Sequence, residues 1–155
     1  MKLETVDFKG LDKLDDSVTY KYSFKVKNEI AEIGNLNTFQ LVYPDIVATL
    51  DNFSADKRVF PIEYWNYETA DAYETKVNIT APKGKTFVEL PLGESLSFKD
   101  MKFSIQYTLV APDKLVITRK FSDGRDQQIA AEDYEVFKAF FEKIVKAEQK
   151  YIAYK

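Results

Sequence analysis

From Val18 to Lys27 apolar and polar residues alternate without interruption, with Val18, Tyr20, Tyr22, Phe24 and Val26 on one parity and Thr19, Lys21, Ser23, Lys25 and Lys27 on the other. Successive side chains of a strand point to opposite faces, so a period of two specifies a strand with one apolar and one polar side. The reading predicts that these five apolar groups lie on a core. The pattern returns over Tyr73–Thr80, where Tyr73, Thr75, Val77 and Ile79 oppose Glu74, Lys76, Asn78 and Thr80. Ala81-Pro82-Lys83-Gly84 then turns the chain. Further strands are expected at Leu3–Phe8, Thr38–Tyr43, Arg58–Tyr64, Thr86–Leu90, Ser95–Phe98, Lys102–Val110 and Lys114–Phe121. The last two enclose Ala111-Pro112-Asp113 and read as a hairpin.

A helical period appears only near the C-terminus. Tyr134, Phe137, Phe141, Ile144 and Val145 form the inward stripe of an amphipathic helix over about 131–149. Glu132 and Asp133 in its first turn and Lys143, Lys146 and Lys150 near its last complement the helix dipole, and Glu142 and Lys146 are spaced i,i+4 in the favourable order. Tyr151–Tyr154 can add a closing strand. A parallel sheet needs a crossover after most strands, and none has a helical pattern before residue 130. The chain therefore reads as one domain over 1–155, an antiparallel β-sandwich, immunoglobulin-like, with one C-terminal helix.

The 155 residues include no histidine and no cysteine. That removes the side chains that carry most nucleophilic, zinc and thiol chemistry near neutral pH, and the expectation is a protein that is not an enzyme and holds no cofactor. A net charge of −3, from 22 basic and 25 acidic residues, gives no footprint for nucleic acid. Met1–Asp7 lacks the apolar stretch of a signal peptide, and no apolar run approaches the roughly 18 residues of a membrane span.

Tyr64, Trp65 and Tyr67 are the candidate binding residues, because exposed aromatic faces suit stacking on a glycan or peptide, although packing in a core is the stronger reading of such a cluster. Ser122-Asp123-Gly124-Arg125-Asp126 lacks the acidic spacing of a calcium loop and reads as an Asp-Gly hairpin turn. Asp51–Asp56 reads as a polar loop, with no metal assigned to either segment. The five glycines form no phosphate-binding pattern.

Several segments in order carry a resemblance: Arg58-Val59-Phe60-Pro61-Ile62, the strand 73–80 with its Pro-Lys-Gly turn, Phe87-Val88-Glu89-Leu90-Pro91, and Leu115-Val116-Ile117-Thr118-Arg119. Asp133-Tyr134-Glu135-Val136-Phe137-Lys138-Ala139-Phe140-Phe141 and Tyr151-Ile152-Ala153 complete it. Together they resemble the C-terminal β domain of bacterial transglutaminase-like proteins, whose longer members join a β-rich domain, a papain-like core and a final β domain. The match is best over 50–155. The resemblance implies a non-catalytic accessory domain that positions or regulates a transglutaminase-like or protease-like core upstream, in a periplasmic or exported setting. A core of that kind needs Cys and His, so none of its catalytic residues can be placed on this chain. The alternative is a free-standing glycan- or peptide-binding module using Tyr64, Trp65 and Tyr67.

Overall fold

The computed structural model describes residues 2–12, 15, 17–25, 30–41, 43, 47, 49–64, 72–123 and 127–155. Among them the strands in chain order are β1 (Lys2–Lys9), β2 (Thr19–Lys25), β3 (Ala31–Ile33), β4 (Leu36–Phe39), β5 (Ile62–Tyr64), β6 (Ala72–Thr80), β7 (Phe87–Glu89), β8 (Glu94–Phe98), β9 (Met101–Ala111), β10 (Lys114–Ser122), β11 (Gln127–Ile129) and β12 (Ile152–Tyr154), with helix α1 (Tyr134–Glu148) preceding β12. The protein is mainly β, its sheets are antiparallel, and the one α-helix among the described residues is C-terminal, as the periodicities predict. None of its helices among the described residues is long and apolar enough to cross a membrane.

The largest sheet has the order β6-β10-β9-β8. Its centre is the expected hairpin, with Ile117 across from Tyr107 and Phe121 across from Phe103. Alternation sends Leu115, Ile117 and Phe121 of β10 to the same side as Phe103 and Ile105 of β9, and all five are buried. The opposite side carries Lys102, Ser104, Gln106, Thr118 and Lys120. Helix α1 lies over β8 and β9 on the apolar side. It buries the five residues of the predicted stripe, together with Phe140 and Ala147. Phe137 stands within 5.0–5.7 Å, centroid to centroid, of Phe53, Phe98 and Phe141.

A second sheet, β3-β4-β12-β7, adds Phe87, Ile152 and Tyr154 to the same core. The closing strand thus stands between β4 and β7, with all three residues buried. Some expected boundaries move. The strand expected at Thr38–Tyr43 is β4, which ends at Phe39, and that expected at Arg58–Tyr64 shortens to β5, with Val59 and Phe60 exposed before it. The polar loop expected at Asp51–Asp56 instead begins within a 3-10 turn, Leu50–Phe53, whose Phe53 stacks on Phe141 at 5.2 Å.

The main correction concerns the first strands. β1 and β2 pair with each other in a separate two-stranded ribbon, Phe8 opposite Tyr20 and Val6 opposite Tyr22. The apolar side predicted to meet a core does not do so at its described positions: Val18 and Tyr20 are more than half exposed, as are Leu3 and Phe8 opposite. Alternation establishes that two faces differ; only tertiary packing determines whether one is covered.

Candidate functional site

The inward side of the main sheet carries one charged residue among its buried side chains. Arg119 follows Ile117 by two positions and precedes Phe121 by two, so the strand turns its guanidinium into the core, where it is 1% exposed. A buried charge requires a partner. Arg119 Nε donates to Glu148 Oε1 at 2.5 Å, and its guanidinium carbon lies 4.8 Å from the centre of the Tyr43 ring. Glu148 ends α1, where the helix dipole disfavours a carboxylate, and the arginine offsets that cost.

The same rung of the sheet continues the cluster. Arg119 pairs with Ile105, which pairs on its other side with Glu94. Glu94 accepts from Lys150 Nζ, which also donates to the Leu92 carbonyl at 3.2 Å. Tyr107, two residues along β9, donates to the Ala147 carbonyl at 3.5 Å. Burial, followed by the negative charges of Glu94 and Glu148, pushes its phenol up to about 12. Tyr107 therefore keeps its proton at neutral pH while both carboxylates engage cations. The arrangement clamps the end of α1 and the start of the closing strand to three strands of the sheet.

On the opposite side of this sheet lies an open cleft of about 600 Å³. Its floor is two rungs of aligned residues, Glu74, Lys120, Ser104 and Ser95 on one and Ala72, Ser122, Lys102 and Ser97 on the next. Lys120 pairs with Glu74 at 3.1 Å, with both side chains more than half exposed. Hydroxyls and the Lys102 amine stand among a lining that is mostly carbon, so the cleft offers a ligand both hydrogen bonds and apolar surface.

Of the residues singled out by sequence, the structure describes only part. Tyr64 ends β5, its backbone paired with Gln127, while Trp65 and Tyr67 lie outside the described residues. Asp123 is buried, and the rest of the Asp-Gly turn, 124–126, also lies outside them. Asp51 and Asp56 are exposed. Sequence reasoning did not identify the charge cluster, although β10 held a signal: an arginine on the parity of Leu115, Ile117 and Phe121. Nothing local identifies Glu148, which is 29 residues away.

Residues 36–154 match the model of a family described as a domain of unknown function with a solved structure (DUF3858). The match begins at the first residue of β4 and ends at the last of β12, leaving the β1–β2 ribbon outside it. No curated protein and no solved structure matches the chain.

Proposed function

Because the chain belongs to this family of domains of unknown function, we propose that it is a non-catalytic accessory domain that docks on a transglutaminase-like or protease-like core absent from this chain, and positions or regulates it. The observation that carries the reading is the ribbon. Val6, Phe8 and Tyr20 share one of its faces, and the register shift between Leu3 and Thr5 returns Leu3 to that face opposite Phe24. Leu3, Val6, Phe8 and Tyr20 are about half exposed or more. An isolated two-stranded hairpin is marginal in water, and fully burying a large apolar side chain is worth about 1.5–3 kcal/mol. A half-exposed apolar face on such an element suits a protein partner. The resemblance to transglutaminase-like proteins supplies the partner's class and the periplasmic or exported setting.

Titrating the chain against the separately expressed upstream core tests this directly. Saturable binding, or a change in the core's activity, supports docking. A folded core that neither binds nor responds overturns it. The second reading, a free-standing module for a glycan or peptide, is favoured by the serine- and lysine-lined cleft, and amide shifts at Ser95, Ser104 and Lys102 on adding a glycan panel would support it.

A further inference from the structure

The outward side of the main sheet carries a charge opposite in sign to that of the chain. Among the described residues of β6, β10, β9 and β8 on that side, four are lysines, Lys76, Lys102, Lys114 and Lys120, and Glu74 alone is acidic. Four positive charges thus face one negative charge on a chain whose net charge is −3. Lys120 is engaged with Glu74 at 3.1 Å. Lys76, Lys102 and Lys114 are exposed and, among the described residues, pair with no carboxylate. Register fixes their placement. Lys102 is opposite Ser122; Lys120 lies two residues along β10 from Ser122 and opposite Glu74; Lys76 lies two residues along β6 from Glu74. These three lysines step across the sheet by one strand and one rung at a time, each step about 4.8 Å across and about 6.7 Å along, or about 8 Å on the diagonal. With Lys120 neutralised by Glu74, Lys102 and Lys76 stand as free cations about 16 Å apart, farther than one small anion can bridge. Lys102 lies between Ser122 and Ser97 on the cleft floor, and Thr118 and Gln106 share the rung of Lys76.

We propose that this face binds an acidic glycan, a sugar chain bearing several carboxylates, laid along the diagonal from Lys102 to Lys76. Such binding is independent of docking on a core; it rests on the cleft of the second reading and gives that cleft a ligand class. Two separated cations on one face call for a carrier of spaced anions. The residues between them select the kind of carrier. Ser95, Ser97, Ser104, Ser122 and Thr118 each offer a donor and an acceptor, which suits ring hydroxyls, and the carbon of the cleft lining suits the apolar faces of sugar rings. A peptide is recognised on a sheet through a free edge or through pockets for its side chains. Here the two lysine-bearing strands at the centre, β9 and β10, are each paired on both sides, so their backbone is already used.

Calorimetric titration of the chain with oligogalacturonate, with its neutral methyl ester and with polyglutamate tests the proposal. Oligogalacturonate should bind, less tightly as salt is raised, and the ester should bind roughly fivefold more weakly or worse. Lys76→Gln combined with Lys102→Gln should weaken binding of the acid by a similar factor. Lys143→Gln combined with Lys146→Gln, the same change of charge on the exposed side of α1, should leave it near the parent's. All four positions are exposed, so both variants should keep the parent's circular dichroism. An ester bound as tightly as the acid overturns the proposal while leaving the cleft a glycan site. Absence of binding to either sugar, polyglutamate bound as tightly as the acid, or equal loss in the two double variants overturns it outright.

Discussion

Replacing Glu148 by glutamine keeps the shape of the side chain and removes the charge facing Arg119. The guanidinium is 1% exposed, so it cannot recover its hydration without opening the core. Breaking a buried pair by removing one partner costs about 3–5 kcal/mol. Glu148 is itself 14% exposed at the end of α1, where water can reach part of the site, which sets the expectation at the low end. Removing a carboxylate from a helix C-terminus returns about 0.3–1 kcal/mol. The balance is a loss of about 2–3 kcal/mol for Glu148→Gln. Combining Arg119→Met with Glu148→Leu instead exchanges the pair for apolar volume, a replacement that is often neutral. Urea unfolding followed by circular dichroism should show a lower midpoint at unchanged slope for the single variant and a midpoint near the parent's for the double. A single variant within about 0.5 kcal/mol of the parent, the range of an ordinary surface change, would refute the reasoning. So would a double variant as unstable as the sum of its singles, because the two charges would then be uncoupled.

Three further outcomes follow from the same geometry. Phe137→Asp should cost at least about 3–5 kcal/mol, losing a fully buried ring and burying an unpaired carboxylate; thermal melting within a degree or two of the parent, to put a rough bound on it, would contradict this. Gly10 has φ +82°, and a Cβ there would stand 2.6 Å from the Ser17 carbonyl oxygen, so Gly10→Ala should abolish hydrogen-exchange protection of the β1–β2 ribbon while leaving that of α1 intact. Tyr107 binds its proton more tightly folded than unfolded, so stability should fall as pH rises from about 10, its ordinary value, towards about 12. The tyrosinate absorbance step at a pH of about 12 should be lost in Tyr107→Phe.

What the sequence disclosed follows from where burial is one-sided. The β9–β10 hairpin and α1 were legible because each has one covered face, which prints a period on the residues. The order Ile152-Ala153-Tyr154 prints none, since all three residues are buried, and an alternating signal fades when both faces of a strand are enclosed. The ribbon showed the converse error. Its alternation is genuine, as Phe8 opposite Tyr20 demonstrates, but the apolar face meets no core at its described positions. For the charge cluster, the sequence offered half of the information. Arg119 stands out of place on an apolar parity, whereas Glu94, Glu148 and Lys150 become its neighbours or theirs only after sheet register and helix placement bring them together.

The central claim is that the apolar face of the ribbon is a docking surface for a transglutaminase-like core. Calorimetric titration of the parent chain and of Phe8→Ser/Tyr20→Ser against that core, over a range of temperatures, tests it most directly. Apolar burial on binding gives a negative heat-capacity change. The account predicts saturable binding with that signature in the parent and its loss in the folded variant; absence of binding to a folded core, or equal binding by both proteins, would contradict it.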